Sequence, residues 1–333
     1  MHKFTLERAK DIIRQCNGRT IAVIGDVMLD RYFWGHVSRI SPEAPVPVID
    51  LERESFHLGG AANVAKNLKS LGLEPLLCGV VGDDTSGASF IDISKKVGIN
   101  PRGLYMDTTR PTTVKTRIIG NNQQIVRLDR EVRDSVSSEA EEFIIKALQS
   151  TPGLSGIIFE DYNKGTISSV LIREVITFAR ENNIPVFVDP KYDNFFNYKN
   201  VTVFKPNKKE AAQALGVEIR NREDILATGR SILEKTHCDN LLLTLGKDGM
   251  MLFESSGEYT QVPTIARHVA DVSGAGDTAI ATLAAAYSGG ATIREAASLA
   301  NFAAGVVCEQ PGIVAIEPDQ LYKSILNNNK RKP

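Results

Sequence analysis

Residues 271–277, DVSGAGD, place two glycines one residue apart and follow them with a carboxylate and an alanine-rich apolar segment. Glycines let a backbone approach a ligand closely, and N–H groups at a helix start point at it with the helix dipole behind them. We therefore expect Gly274, Ala275 and Gly276 to form an anion hole for a phosphoryl group. Asp277, on the first helical turn, would accept the proton of an attacking hydroxyl.

Two other interpretations of this stretch have to be weighed. GAGDTA fits the dinucleotide-binding pattern G-x-G-x-x-A, but that pattern follows a buried strand, whereas residues 265–273 are polar and carry charges. Asp277 would also face a pyrophosphate, which disfavours an NAD-dependent oxidoreductase. An acid that is only favoured by the helix dipole would explain Asp277, but neither the glycines nor Asp271. Phosphoryl transfer explains all of them.

The elements that must position this loop alternate between apolar strands and amphipathic helices. Such alternation predicts a mostly parallel sheet with helices on both faces, a three-layer α/β/α architecture. No internal repeat or linker is visible, so we expect one domain over residues 1–333. The predicted strands are TIAVIGDVMLD, PLLCGVVG, GIIFEDY, IPVFVDP and NLLLTLG.

Two segments, at about 31–57 and 110–130, do not follow this alternation of strands and helices. They are extended, β-branched and polar-alternating, and GNNQQ is typical of a hairpin turn. We expect them to form a small antiparallel sheet that stands off the main one, either as a lid over a pocket or as a subunit contact. An ordinary extension of the sheet edge fits the pattern equally well.

Composition narrows the class of protein. The 39 basic and 40 acidic residues form no basic stripe, so we expect no nucleic-acid partner. No run approaches the roughly 18 apolar residues of a membrane span, and the N-terminal segment reads as an amphipathic helix. The four cysteines show no paired spacing, which favours reduced thiols. We expect a soluble, cytoplasmic protein.

Three motifs in this order, GGAANVAKNL at 59–68, KPNKKE at 205–210 and DVSGAGD at 271–277, resemble those of the PfkB sugar kinases, the family that includes ribokinase. The resemblance implies a ribokinase-like fold, ATP and Mg²⁺ as partners, and Asp277 as the base. It also implies that Asn207 and Glu210 organise Mg²⁺ and its waters. The same two residues fit a helix capping box, and both interpretations can hold together. The sequence leaves open whether a monovalent cation also binds beside the loop.

The resemblance assigns further residues to the nucleotide side. LTLGKDGM places Thr244, Gly246 and Gly249 at the border of ATP, although GKDG alone is more typical of a hairpin turn. Asn301 in NFAAGVV is expected near the adenine. No G-x-x-x-x-G-K-[ST] loop occurs in the chain.

Polar residues at the end of the first strand and the start of the next helix are candidates for the sugar side. Asp26 and Asp30 end an α/β strand, where carboxylates face the ligand crevice and can accept sugar hydroxyls. Gly59 and Gly60 allow close backbone approach, and Asn63 supplies an amide. The alternative is a glycine-opened helix start capped by nearby polar groups.

Four segments narrow the resemblance to one branch of the family, the bacterial D-glycero-β-D-manno-heptose-7-phosphate kinases of ADP-heptose synthesis, which supply lipopolysaccharide core precursors. The segments are RISPEAPVPV, NNQQIVRLDRE, EDYNKG and VDPK. This resemblance implies ATP-dependent phosphorylation of the C1 hydroxyl of heptose 7-phosphate, and a homodimer through the lid strands. Because no H-x-G-H-like motif follows, it implies a stand-alone kinase with the adenylyltransferase supplied separately. Alternatives are a kinase for fructose 6-phosphate or ribose, or a non-catalytic sugar-binding regulator.

A substrate that already carries a phosphate needs cations in the site. Candidates in and after the second lid segment are Lys115, Arg117, Arg127, Lys164 and Lys191. Any one of them alone is more typical of a solvated surface residue. We expect at least one of the five to bind the phosphate. Arg127 and Lys164 are the candidate substrate-binding residues, because both lie in segments that resemble this branch of the family.

Overall fold

A computed structural model describes residues 4–266 and 270–329 of the chain. Thirteen strands and ten α-helices lie within these residues. The strands are β1 (Thr20–Gly25), β2 (Val27–Ile40), β3 (Pro47–Gly60), β4 (Glu74–Gly82), β5 (Gly103–Asp107), β6 (Val114–Gly120), β7 (Gln123–Arg130), β8 (Leu154–Glu160), β9 (Val186–Asp189), β10 (Val203–Phe204), β11 (Asn240–Thr244), β12 (Met250–Glu254) and β13 (Tyr259–Val262). The helices are α1 (Leu6–Cys16), α2 (Ala61–Ser70), α3 (Thr85–Lys96), α4 (Ser138–Gln149), α5 (Ser169–Glu181), α6 (Lys208–Leu215), α7 (Arg222–Thr236), α8 (Ala275–Ser288), α9 (Ile293–Cys308) and α10 (Pro318–Asn329).

A nine-stranded sheet lies at the centre, in the order β13-β12-β11-β10-β9-β8-β1-β4-β5. The strands from β11 to β5 in this order pair in parallel, and β12 and β13 add an antiparallel hairpin at one edge. β4 pairs with one edge of β1, and β8, which comes later in the chain, pairs with the opposite edge. This reversal creates a crevice at the carboxyl ends of β1 and β8, the position where open α/β sheets bind ligands.

Helices cover both faces of the large sheet because its strands are apolar on both sides. In β1, Ile21 and Val23 belong to one buried apolar cluster, which includes residues of α1, α2, α3, α8, α9 and α10. Ala22 and Ile24 belong to the other, which includes residues of α4, α5, α6 and α7. Complete burial of one such Ile or Val side chain contributes about 1.5–3 kcal/mol. The two apolar layers therefore hold α8 and the strand ends in fixed relative positions, and this confirms the three-layer prediction.

The second sheet has the order β3-β2-β6-β7. The pairs β2–β3 and β6–β7 are antiparallel, as predicted, whereas β2 and β6 pair in parallel. The predicted GNNQQ turn is the two-residue connection between β6 and β7, and Asn121 and Asn122 both have positive φ, as a type I′ hairpin requires. The segments at 31–57 and 110–130 lie within or beside these four strands.

The segment 20–30, which the sequence predicts as one strand, is divided at Asp26. β1 ends at Gly25 in the large sheet, and β2 begins at Val27 in the small one. Asp26 therefore lies where the two sheets diverge, directly above the crevice. None of the helices within the described residues is both long enough and apolar enough to span a bilayer.

Candidate active site

The glycine-rich loop leads directly into α8. Gly274 caps the helix with φ +77°, a left-handed conformation that a side chain would strain. A Cβ at this position would also lie 2.8 Å from Asn63 Nδ2. The sequence needs glycine here for both reasons, and the close approach brings the start of α8 against α2. Before the loop, residues 263–266 and 270–274 form no strand, and residues 267–269 lie outside the described residues.

Asp277 lies on the first turn of α8 and is 6% exposed. Asn63 Nδ2 donates a hydrogen bond to Asp277 Oδ2 (2.7 Å), and the Tyr162 hydroxyl donates to Oδ1 (2.9 Å). Burial raises the pKa of Asp277 above its ordinary value; the two donors oppose this shift and nearby Asp189 adds to it. A buried carboxylate with a raised pKa and fixed orientation suits a general base.

The backbone around Gly276 offers N–H groups beside this carboxylate. Among the described residues, no acceptor takes the N–H of Gly276 or of Asp277, as expected at the first turn of a helix. The N–H of Ala275 instead donates to the Val272 carbonyl (3.2 Å). The N–H of Gly276, which belongs to the predicted hole, and the adjacent N–H of Asp277 are thus free to bind an anion. The N–H of Ala275, also a member of the predicted hole, instead belongs to the turn that builds the loop.

Asp271, the first acid of the motif, supports the loop. Its Oδ1 accepts from the N–H of Ser273 (2.9 Å), and its Oδ2 accepts from the N–H of Gly312 (3.2 Å). The segment after α9 is thereby tied to the turn that precedes Gly274. Burial opposes the charge of Asp271, but these hydrogen bonds outweigh it and lower its pKa.

Three buried charged side chains lie at the carboxyl ends of β8, β9 and β10. They are Glu160, Asp189 and Lys205, at 1%, 6% and 3% exposure. Lys205 Nζ pairs with Asp189 Oδ2 at 2.7 Å, and a Cβ on Gly276 would lie 3.6 Å from that oxygen and 3.7 Å from that ammonium. Burial, followed by Asp189 and Asp277, raises the pKa of Glu160 well above its ordinary value. The first turn of α8 therefore lies beside a buried ion pair.

Tyr162 belongs to a loop that Asp26 organises. Asp26 Oδ2 accepts from the N–H groups of Tyr162 (2.8 Å) and Lys164 (3.0 Å), and Oδ1 accepts from the N–H of Thr166 (3.0 Å). Both carboxylate oxygens of Asp26 are thus used to shape the loop after β8. The ring of Tyr162 is flanked by two ammonium groups, Lys191 at 5.1 Å and Lys115 at 5.4 Å from its centroid.

The other predicted sugar-side residues lie where β2 and β3 meet the crevice. Asp30 is buried and pairs with Arg117, whose Nη1 donates to its Oδ1. A Cβ on Gly59 would lie 2.1 Å from Asp30 Oδ2, so only glycine leaves room for this carboxylate. Gly60 is the N-cap of α2, and the buried Asn63 lies on its first turn.

Asn207 and Glu210 form the predicted capping box at the start of α6. Asn207 Oδ1 accepts from the N–H of Glu210 (2.9 Å), and Glu210 Oε2 accepts from the N–H of Asn207 (2.8 Å). Glu210 Oε1 pairs with Lys191. Asn207 also forms a parallel bridge with Thr244, so the two predicted nucleotide-side motifs are adjacent.

The remaining nucleotide-side residues shape turns. Gly246 (φ +61°) and Gly249 (φ +87°) bound the turn between β11 and β12, the hairpin that the GKDG pattern alone indicates. The Asn301 side chain on α9 is buried, and its Nδ2 donates to the Pro263 carbonyl (2.8 Å). These contacts hold the end of β13 against α9.

Four of the five candidate cations have carboxylate partners. The pairs are Arg117–Asp30, Arg127–Asp129 (2.9 Å), Lys164–Glu131 (2.7 Å) and Lys191–Glu210. Lys115 has no ion pair within the part of the chain that the structure describes.

Four of the residues at this site were not singled out by the sequence. They are Glu160, Tyr162, Asp189 and Lys205. The first three stand at or just beyond the carboxyl end of a predicted strand, whereas Lys205 follows β10, a strand that the sequence did not predict. This position is itself a signal, since such strand ends face the ligand crevice. It could have identified the first three as crevice residues, although not their partners.

Comparisons with known proteins identify the family of the chain. Residues 19–320 match the pfkB family carbohydrate kinase profile. Bifunctional protein HldE of Geobacter sulfurreducens is 43% identical over 304 residues, which cover 91% of this chain and 62% of the relative. The protein of the same name from Helicobacter pylori is 41% identical over 298 residues, covering 88% and 64%. The chain thus spans less than two thirds of the length of these relatives.

Solved structures share the fold at low sequence identity. The tetrameric inhibited form of Escherichia coli phosphofructokinase-2 matches with a TM-score of 0.77 at 15% identity, over 94% of this chain and 99% of that one. Arabidopsis thaliana ribokinase complexed with ribose and ATP matches with a TM-score of 0.72 at 18% identity, over 93% and 99%. These matches confirm the predicted ribokinase-like fold. Together with the profile match and the relatives above 40% identity, they show that the chain belongs to the pfkB family of carbohydrate kinases.

Proposed function

We propose that this kinase transfers the γ-phosphoryl group of ATP to the C1 hydroxyl of D-glycero-D-manno-heptose 7-phosphate, giving the 1,7-bisphosphate and ADP in ADP-heptose synthesis. The observation that carries the proposal of phosphoryl transfer is Asp277, buried between two donors and beside free backbone N–H groups. The four branch-like segments support the choice of sugar. The relatives are named as bifunctional, and the proposal concerns the kinase activity alone.

The reaction divides between the base and the anion hole. Asp277 accepts the proton of the sugar hydroxyl as that oxygen attacks the γ-phosphorus, and the bond from phosphorus to the bridging oxygen of ADP breaks. The N–H groups of Gly276 and Asp277 stabilise the charge on the transferred phosphoryl oxygens. In this arrangement the chain contributes position, electrostatic stabilisation and one proton acceptor.

The proposed sugar-binding roles of Asn63 and Asp30 follow from side-chain oxygens that can still accept a hydrogen bond. Asn63 Oδ1 is buried and has no hydrogen-bond partner among the described residues, so a sugar hydroxyl can donate to it. Asp30, held by Arg117, can accept from a second hydroxyl. We assign Asp26 an indirect role, because its oxygens already accept three N–H groups of the loop that carries Tyr162.

The nucleotide side fits a hydrated divalent cation bound mainly through ATP. Within residues 4–266 and 270–329, no group of three or more His, Cys, Asp or Glu side chains is arranged to hold a metal ion alone. A Mg²⁺ that keeps its waters and binds phosphate oxygens requires only one or two protein oxygens. Glu210 and Asn207 would hold those waters, and the ion would neutralise phosphate charge.

An ADP-release assay with heptose 7-phosphate, fructose 6-phosphate and ribose as acceptors tests the proposal. We expect the highest kcat/KM with heptose 7-phosphate, and coupling between phosphorus and the anomeric proton in the NMR spectrum of the product. Preferred turnover of either other sugar, or a phosphate on another carbon, would refute the substrate assignment.

We expect Tyr162→Phe to lower kcat roughly 10-fold at neutral pH, because a hydrogen bond to a charged group is lost. The base acts when deprotonated, and the Tyr162 hydroxyl lowers the pKa of Asp277. Its removal should raise that pKa further and move the acidic limb of the kcat–pH profile to higher pH. Tyr287→Phe, on the same helix as the base, is the matched control and should leave the profile in place. If the acidic limb of the kcat–pH profile did not move in Tyr162→Phe, the hydroxyl would not act on the base.

We also propose that the chain forms a homodimer through the outer face of the small sheet. Register places Phe33, Phe56, Ile118, Val126 and Leu128 on the face opposite Asp30, and Leu128 is 55% exposed. Exposed apolar patches of this kind mark subunit contacts. We expect light scattering to give twice the chain mass, and Leu128→Lys to give the monomer mass. A monomeric wild type would contradict the proposal.

A further inference from the structure

Lys115 lies on the side of the small sheet that faces the crevice. It pairs in register with the buried Asp30 on β2 and with Asp129 on β7, and paired residues of adjacent strands point to the same face. Its ammonium lies 5.4 Å from the centroid of the Tyr162 ring. Lys115 therefore points into the same space as the sugar-side carboxylate and the tyrosine that contacts the base.

The charges that face Lys115 are already matched with each other. Asp30 pairs with Arg117, Asp129 with Arg127, and Glu131 with Lys164. Lys115 is a fourth cation beside these three ion pairs. Within the described part of the chain, no carboxylate lies within ion-pair distance of it. Burial lowers its pKa, although Asp30 opposes the shift, and an anion beside it would stabilise the charged form.

Tyr162 contacts both Lys115 and the candidate base, Asp277. The ring lies under the Lys115 ammonium, while its hydroxyl is 2.9 Å from Asp277 Oδ1. The base and the ammonium thus contact the same tyrosine side chain, the base at its hydroxyl and the ammonium at its ring.

We infer that Lys115 binds the phosphate group that the acceptor sugar already carries. The inference rests on the proposed function, since it assumes a phosphorylated acceptor with its reacting hydroxyl at Asp277. Lys115 replaces Arg127 and Lys164 as the first choice for this contact, because each of those two side chains already pairs with a carboxylate. A lysine at this position acts as a point charge for the phosphate dianion.

The test compares phosphorylated and unphosphorylated heptose as acceptors for Lys115→Met, which keeps the length of the side chain and removes the charge. We expect the KM for heptose 7-phosphate to rise roughly 10- to 100-fold, the value of a charge-assisted hydrogen bond. The KM for unphosphorylated heptose should change less than about threefold, because that sugar never makes this contact. Lys115→Arg should recover most of the affinity.

Arg31→Met is the matched control. Arg31 belongs to the same sheet but points to the opposite face, where it pairs with Glu54. Its KM for heptose 7-phosphate should stay at the wild-type value. Thermal unfolding of both variants would separate lost binding from lost folding.

Four outcomes would overturn the inference. An equal loss for both sugars in Lys115→Met would show that the residue supports the site in general. A larger loss in Arg127→Met or Lys164→Met would place the phosphate at that residue. A wild type that prefers the phosphorylated sugar, with Lys115→Met unchanged, would refute the inference and leave the proposed function intact. A wild type without this preference would refute both.

Discussion

Asp277→Asn should bind heptose 7-phosphate and ATP with near-normal affinity while kcat falls on the order of 10²- to 10⁴-fold, the range for removing a general base. The substitution preserves the shape of the side chain and can keep one accepted hydrogen bond, but it removes the proton acceptor. Because burial raises the pKa of Asp277, wild-type activity should fall with decreasing pH at values above the ordinary carboxyl range. The residual activity of the variant should lack this acidic limb. Steady-state assays across pH, with calorimetric binding of both substrates, measure these effects.

Asp271→Asn provides the matched control in the same loop. Asp271 accepts hydrogen bonds from the N–H groups of Ser273 and Gly312 and touches no predicted substrate position, so this variant should keep most of its turnover. Near-normal kcat in Asp277→Asn would remove the residue from the mechanism. An equal loss in both variants would show instead that the loop conformation, and not the base, was disturbed.

The layered fold could be predicted because each strand and helix carries its own hydrophobic period. Elements that are short, or that are divided between two sheets, could not be predicted in this way. β10 has only two residues, Val203–Phe204, and owes its strand pairing to β9 and β11 on either side. The division of segment 20–30 at Asp26 follows from the divergence of two sheets, and an uninterrupted apolar run gives no local signal of it.

The site was predictable where a motif is local in sequence. The glycine-rich loop and the capping box each lie within seven residues, and both are present as predicted local structures. Partners distant in sequence were not predictable. Asp26 looks like a sugar ligand from its place at a strand end, yet residues 162–166 supply its three hydrogen-bond donors. Which basic side chains are already paired depends likewise on tertiary contacts.

The buried pair Lys205–Asp189 lies beside Gly276 and gives electrostatic support to the proposed anion hole. Burial alone would lower the pKa of Lys205, but Asp189 and Glu160 outweigh it and raise that pKa, so the ammonium stays charged. Its charge offsets that of Asp189 beside Gly276. Against the effect of burial, it also favours the charged forms of Glu160 and Asp277. Without it, a phosphoryl group entering the hole would meet uncompensated carboxylates in a site of low dielectric.

Lys205→Met should therefore lower the free energy of unfolding by about 3–5 kcal/mol, because one partner of a buried ion pair is left uncompensated. In the folded fraction, kcat should fall roughly 100-fold or more, since the hole loses its supporting charge. The double variant Lys205→Met/Asp189→Asn separates the two effects: removal of the orphaned charge should restore much of the stability, measured by urea unfolding, while kcat stays low. If the double variant regained both stability and turnover, the ammonium would act only by neutralising Asp189, and its field at the anion hole would contribute nothing.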